Sequence, residues 1–163
     1  MGKLVEQEIG FAETAPFRAE GSATFEATPA EVWAVVLDYP SWPRWFEGVR
    51  SCVATSDPAV GIGSTRRVAL PIPGSKVDER FIAWDEGERW AFTGTDATPG
   101  LFRALVERLL IEDLGDGRCR TTYRMAFEPS WWLRPLAGGL RKGTDKALAK
   151  AMEGLGREVA ARR

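Results

Sequence analysis

The sequence predicts an α+β fold in which a seven-stranded, curved antiparallel sheet wraps around one long C-terminal helix. Three features indicate this fold: a capped helix start after the first strand-like segment, six further strand-like segments separated by turn residues, and a helical apolar repeat at the end. The apolar stripe of that last helix must be buried against an apolar sheet face, and a curved sheet meets this need. The 163 residues, 44% of them apolar, suffice for one such domain.

The beginning of the chain is predicted to lie outside the main domain. Residues 1–15 show only weak periodicity, and we expect an N-terminal extension there, either mobile or amphipathic. A single domain then covers residues 16–163. Its first strand is predicted over 17–27, where apolar and polar residues alternate.

Two short helices are predicted after the first strand. Thr28 and Glu31 have the spacing of a reciprocal capping box, and Pro29 suits the first helical position. Pro40 ends this helix because proline lacks an amide hydrogen and disfavours helix in the preceding residue. Residues 40–46 then form a second, shorter helix.

The middle of the chain is predicted to form an antiparallel meander. Glu86-Gly87 marks one tight hairpin, and Gly115-Asp116-Gly117 marks another. Strands spaced by 10 to 15 residues and joined by such turns are typical of antiparallel sheets. The predicted strands cover residues 49–56, 64–72, 76–85, 88–96, 103–114 and 118–129.

The C-terminal segment is predicted to be the long helix. Residues rich in alanine, lysine, arginine and glutamate favour a helix there. Gly138, Gly139 and Gly143 are poor helix formers, and we expect them to let a sheet or a ligand approach the backbone closely. The predicted apolar stripe consists of Leu136, Leu140, Thr144, Leu148, Met152, Leu155 and Val159.

Composition excludes several classes of function. The 22 basic and 23 acidic residues nearly balance, so no basic surface for nucleic acid is expected. The chain has no histidine, and Cys52 and Cys119 lie far apart, so we expect no metal site, no cofactor and no histidine-based nucleophile pair. The N-terminal residues show no signal-peptide core and no window resembles a membrane span, so a cytoplasmic location is expected.

Several motifs together resemble one known family. These are "ATPAEVWAVVLDYPSWPRWFEGVRS", "GIGSTRRV", "ERFIAWDEGERWAFT" and "GDGRCRTTYRMAFEP". In this order they resemble the polyketide cyclase/dehydratase and lipid-transport group of the START-like (SRPBCC) superfamily. The resemblance implies a helix-grip fold with a cavity between sheet and helix, closed at one end by the two short helices.

The resemblance implies binding or transport of a hydrophobic small molecule, such as a lipid, a polyketide or an aromatic compound, without nucleic acid. One alternative is a polyketide cyclase/dehydratase that uses neither metal nor histidine. In that case the resemblance indicates Tyr123 and one of Arg66 and Arg67 as catalytic residues, with Arg66 as the first choice. A second alternative is a chaperone or partner-binding module. The chain is expected to be a monomer or a homodimer, with transient membrane contact as a further expectation.

Strand alternation and the helix stripe predict which side chains face the cavity. Trp33 and Trp45 are predicted to be core residues. For Glu107, an ion pair at the edge of the sheet and contact with a ligand are both open. The predicted ligand-binding residues are Trp42, Phe46, Val68, Leu70, Phe81, Trp90, Phe92, Leu105, Glu107, Tyr123, Met125, Leu140 and Thr144.

The segment "PSWWLRPL" before the long helix carries two adjacent tryptophans. Packing of Trp131 and Trp132 beneath the start of the helix is the first expectation. The alternative is an exposed position, as a lid or as a tip that touches a membrane during ligand exchange.

Overall fold

The structure, a computed structural model, describes residues 2–163 and confirms the curved antiparallel sheet around a long helix. The sheet has eight strands, seven of which follow the order β2-β8-β7-β6-β5-β4-β3, while the short β1 pairs with β6. None of the described helices is both long and apolar enough to cross a membrane. The strands are β1 (Gly2–Lys3), β2 (Phe17–Phe25), β3 (Ser51–Ala54), β4 (Thr65–Ala69), β5 (Lys76–Asp85), β6 (Arg89–Thr98), β7 (Phe102–Gly115) and β8 (Arg118–Pro129).

Within the described residues the sheet is accompanied by the α-helices α1 (Phe11–Thr14), α2 (Pro29–Leu37), α3 (Trp42–Trp45) and α4 (Ala137–Ala161). The predicted capping box is present, since the Thr28 side chain accepts from the Glu31 amide and the Glu31 carboxylate accepts from the Thr28 amide. A 3₁₀ turn at Tyr39–Ser41 separates α2 from α3, and a second one, Trp131–Leu136, precedes α4.

The N-terminal segment, predicted as an extension, packs on the sheet. Strands β6 and β7 pair only as far as Thr93 and Val106, and β1 continues the hydrogen bonding beyond that point by pairing with Ala97 and Asp96 of β6. The amide of Val5 donates to the carbonyl of Arg103 on β7. Residues 2–5 therefore bridge the two strands where they separate.

The main core lies between the concave face of the sheet and the helices α2, α3 and the second half of α4. Trp33 and Trp45 are both buried there, as predicted. The second half of α4 approaches its neighbours closely, because a Cβ on Gly154 would overlap the backbone carbonyl of Trp45, and a Cβ on Gly21 would overlap the backbone of Leu148.

The first half of α4 packs differently. The predicted stripe is continuous, yet Leu148, Met152, Leu155 and Val159 are buried whereas Leu140 is exposed. A Cβ on any of the glycines at 138, 139 and 143 would meet no atom within 4 Å. The first half of the helix therefore lies over open space.

Candidate functional site

A cavity of about 620 Å3 fills the space between the concave face of the sheet and the first half of α4. Its size is within the usual range for small-molecule sites. Most residues predicted to bind ligand line it, namely Trp42, Phe46, Val68, Leu70, Leu105, Glu107, Tyr123, Met125, Leu140 and Thr144. The cavity is therefore built by α3, four strands and α4.

Three of the predicted residues, Phe81, Trp90 and Phe92, lie in the core and are not among the residues that line the cavity. They have the predicted inward orientation and are fully buried. Trp90 packs against two residues that do line the cavity, with its ring centroid 6.1 Å from that of Trp42 and 5.6 Å from that of Tyr123. The alternation of residues along the strands identified the inward face correctly. How far Phe81, Trp90 and Phe92 lie below the cavity depends instead on how α3 packs against the sheet.

Sequence reasoning missed Glu79 as a site residue. Glu79 lines the cavity and is only 4% exposed. The alternation of 76–85 places it on the same face as Phe81, so its orientation was accessible from the sequence. Gly139 and Gly143 also line the cavity, and the absence of their side chains leaves room in it.

Arg66 answers the question of which arginine points inward. It is 1% exposed, and its Nε donates to Glu79 Oε2 at 2.6 Å on the neighbouring strand. Arg67 faces the other side and pairs with Asp78. Burial opposes the charge of Arg66, but the neighbouring Glu79 carboxylate outweighs it and keeps the pKa of the guanidinium above its usual value.

Aromatic rings surround the rest of the Arg66 guanidinium. Its Nη1 and Nη2 donate to no described residue, so the faces of these rings provide the remaining favourable electrostatic contact. The guanidinium carbon lies 4.2 to 5.3 Å from the ring centroids of Trp42, Phe92, Phe81, Tyr39 and Trp90. Arg66 therefore lies beneath the floor of the cavity and supports Glu79, which lines it.

Glu107 and Tyr123 form the second polar pair of the site. The Tyr123 hydroxyl donates to Glu107 Oε2, and both residues line the cavity. Burial, followed by the nearby charge of Glu79, raises the pKa of Glu107 to about 8. Burial, with Glu107 next to it, also raises the pKa of Tyr123. Near neutral pH the site therefore presents a protonated carboxyl group.

One expectation about β7 needs correction. Glu107 makes no ion pair within the described residues, so the ion pair at the edge of the sheet is wrong. Strict alternation along β7 would place Arg103 on the face of Glu107, but an irregularity in the β7–β8 pairing between Phe102 and Ala104 turns Arg103 outward. There it pairs with Glu128 at 3.0 Å. A bulge of this kind leaves no clear trace in the alternation pattern.

The tryptophans before α4 are exposed, so the expectation that they pack beneath the helix is wrong. Trp131 is 80% exposed and Trp132 is 50% exposed. Leu136 and Leu140 line the cavity and are also exposed, which shows that the cavity opens on this side. We call Trp131, Trp132, Leu136 and Leu140 together the mouth patch.

Basic residues surround the mouth patch. Lys3, Arg103 and Arg134 line a shallow pocket together with Trp131. Arg141 and Lys142 of α4 are exposed and make no ion pair with any residue from 2 to 163. Residues 2–163 contain no group of three or more His, Cys, Asp or Glu side chains that could hold a metal ion.

Comparison with known proteins agrees with this architecture. Residues 16–160 match the family model described as polyketide cyclase/dehydrase and lipid transport. An uncharacterized protein of Mycobacterium tuberculosis is 30% identical over 154 residues, which cover 94% of this chain and 91% of the relative.

Two solved structures show the same fold at low sequence identity. The ZhuI aromatase/cyclase from Streptomyces sp. R1128 has a TM-score of 0.74 and 14% identity, covering 89% of this chain and 94% of that one. A START superfamily protein from Mycobacterium smegmatis has a TM-score of 0.63 and 16% identity, and the match covers 85% of this chain and 99% of that one. The family match over residues 16–160 establishes that this chain belongs to the polyketide cyclase/dehydrase and lipid transport family.

Proposed function

We propose that this protein binds and carries a hydrophobic small molecule in the cavity between the sheet and α4. The observation that carries the proposal is the cavity itself, about 620 Å3 with walls made mainly of aliphatic and aromatic side chains. Burial of roughly 300 Å2 of apolar ligand surface would contribute on the order of 7 kcal/mol before the cost of ordering the ligand. The family description, which includes lipid transport, supports the same function.

Ligand exchange at an anionic membrane surface is part of this proposal. Trp131 and Trp132 of the mouth patch begin the 3₁₀ turn whose last residue, Leu136, lines the cavity, and tryptophan suits the boundary between headgroups and acyl chains. The nearby Lys3, Arg141 and Lys142 add attraction to anionic lipids, worth about 1 kcal/mol for each basic residue close to the surface. A ligand could then pass between bilayer and cavity with little exposure to water.

The cavity proposal can be tested with N-phenyl-1-naphthylamine, an uncharged fluorescent probe. Gly143→Leu would place a side chain in the cavity, while Gly138→Leu makes the same change on an exposed face of the same helix outside the cavity. We expect one probe per wild-type chain, binding at least tenfold weaker to the Gly143 variant, and unchanged affinity for the Gly138 variant. Equal affinities of all three proteins would show that the probe binds elsewhere and would contradict the proposal.

The membrane step has its own test. Co-sedimentation with vesicles of phosphatidylcholine and phosphatidylglycerol should fall at least tenfold when Trp131 and Trp132 are both replaced by serine. Vesicles of phosphatidylcholine alone should bind the wild-type protein only weakly. Unchanged sedimentation of the double variant would refute a role for the mouth patch.

A second candidate function is a cyclase/dehydratase, and the protonated Glu107 beside Tyr123 is the observation that favours it. A carboxylic acid that stays neutral near pH 7 inside an apolar cavity is able to donate a proton to a ligand carbonyl. Arg66 does not line the cavity and reaches it only through Glu79. The Tyr123 hydroxyl lines the cavity but already donates to Glu107. The acid in this candidate would therefore be Glu107. Turnover of a poly-β-keto thioester that disappears in Glu107→Gln with an unchanged fold would support this candidate.

A further inference from the structure

The ionisable groups of the cavity wall are all acidic. Among the described residues that line the cavity, Glu79 and Glu107 are the carboxylates, Tyr123 adds a phenol, and no lysine or arginine takes part. A ligand whose polar end lies inside the cavity would place it against this group of side chains, because the other walls are almost entirely apolar. The chemistry of Glu79 and Glu107 therefore decides which polar end is accepted.

The two carboxylates differ in how their charge is balanced. Glu79 receives the Nε of Arg66 at 2.6 Å, and the two side chains form a neutral pair that is almost completely buried. Among residues 2–163, the Tyr123 hydroxyl is the one hydrogen-bond partner of the Glu107 carboxyl group, and a hydroxyl does not cancel a charge. One carboxylate thus has no cation opposite it, and its free side faces the cavity.

We propose, on the premise that the cavity binds a hydrophobic ligand as argued above, that it selects a ligand whose polar end is a protonated amine placed against Glu107. An ammonium group supplies both the missing positive charge and hydrogen-bond donors. Above pH 8, where Glu107 is ionised, a carboxylate or phosphate end would instead meet a like charge in an apolar environment that screens it poorly. Fatty acids and other anionic amphiphiles should therefore bind weakly in that pH range.

Binding of the amine is coupled to release of a proton. In the empty cavity Glu107 is protonated below pH 8, and it passes its proton to solvent when the ammonium group arrives. The titratable or charged groups around it are Tyr123 on β8, Glu79 on β5 and Arg66 on β4. The helix α4 contributes only uncharged residues to the cavity wall, among them Thr144.

Three probes with the same aromatic body separate these alternatives: naphthalen-1-ylmethylamine, naphthalen-1-ylmethanol and 1-naphthoate. Calorimetric titration at pH 8.5 should give the amine at least tenfold tighter binding than the alcohol, as expected for a buried charge-assisted hydrogen bond. The naphthoate should bind most weakly. Between pH 6.5 and 8.5 the amine should gain about twentyfold in affinity while the alcohol does not, because the ionised fraction of Glu107 rises by that factor.

A variant pair locates the effect. Glu107→Gln keeps an acceptor for Tyr123 but removes the charge, and it should lose both the amine preference and its pH dependence. Glu86→Gln makes the same substitution on the exposed turn between β5 and β6, outside the cavity, and should retain both. The proton release can also be measured on the wild-type protein alone, by comparing the calorimetric binding enthalpy of the amine in two buffers with different ionisation enthalpies. At pH 6.5 we expect up to one proton released for each amine bound.

The outcomes distinguish this inference from the function on which it rests. Equal binding of amine and alcohol, or an amine preference that survives in Glu107→Gln, would overturn the amine inference while leaving the cavity proposal intact. An alcohol that binds best below pH 8 and depends on Glu107 would also overturn it and would favour the catalytic candidate. If neither the naphthalene probes nor N-phenyl-1-naphthylamine bind, the proposed function itself fails.

Discussion

Replacing Glu107 with glutamine should remove a pH dependence of stability that the wild-type protein shows between pH 5 and 9. In the folded protein the pKa of Glu107 is about 8, against an ordinary value of 4.5, because burial and the nearby Glu79 disfavour its charge. Between these values the folded state holds a proton that the unfolded state has lost. The free energy of unfolding therefore decreases as the pH rises from 4.5 through 8, and below 4.5 this contribution is fully retained.

The size of the effect follows from the same pKa. One pKa unit corresponds to about 1.36 kcal/mol, so ionising Glu107 in the folded state costs on the order of 5 kcal/mol in a dry site. The carboxyl group faces an open cavity, where water offsets part of this cost, and we expect about 2–4 kcal/mol. The glutamine variant has no charge to acquire, so it should equal the wild type near pH 5 and exceed its stability by this amount near pH 9.

Urea unfolding followed by tryptophan fluorescence at pH 5, 7 and 9 measures the difference directly. The matched control is Glu86→Gln, an identical substitution on the exposed turn between β5 and β6. Its stability should follow that of the wild type at each pH. If the wild type and the Glu107 variant change in parallel over this range, Glu107 is ionised in the folded protein at neutral pH and the reasoning is refuted.

Three further experiments test how the fold supports the site. Gly154→Ala should destabilise the protein by roughly 1–3 kcal/mol, because its Cβ would meet a backbone carbonyl of α3. Gly138→Ala, where the Cβ meets no atom, should instead stabilise it by up to about 1 kcal/mol. Equal effects of the two variants on the thermal midpoint would show that α4 is not held closely in its second half. Arg66→Met should lower the free energy of unfolding in urea by about 3–5 kcal/mol, because it leaves Glu79 buried without its partner. The additional change Glu79→Leu should recover most of this loss. If it does not, the aromatic contacts of the arginine matter more than the ion pair. Thr28→Ala should cost about 1 kcal/mol through loss of the helix cap, and an unchanged unfolding midpoint would contradict the role of the capping box.

The order of the elements was predictable because each one depends on local chemistry. The capping box at Thr28 and Glu31 and the glycine turns of the hairpins act within a few residues. The role of residues 2–5 was not predictable in this way. Their position depends on the separation of β6 from β7, a tertiary feature that no local pattern encodes.

The candidate site was predictable in orientation but not in depth. Alternation placed Tyr123, Glu107 and Phe92 on one face, and the structure agrees. It did not show that Trp42 packs against Trp90 or that Arg66 finds its carboxylate in Glu79, because both depend on distances across the sheet and to α3. The position of the cavity along the concave face is therefore a property of packing between distant segments.

The two halves of α4 explain why a cavity is present at all. In the second half, Gly154 lies against the backbone of Trp45 on α3, and Gly21 of β2 lies against the helix backbone at Leu148. No other residue would permit these two contacts, and this half of the helix completes the core. In the first half, the glycines at 138, 139 and 143 make no such contacts, and each costs the helix about 0.5–1 kcal/mol relative to alanine. This sequence therefore accepts a weaker helix where it leaves Leu140 and its neighbours without a protein partner. A bound ligand would supply the apolar contacts that the second half of the helix obtains from the sheet, so occupancy of the cavity should stabilise the first half of α4 most.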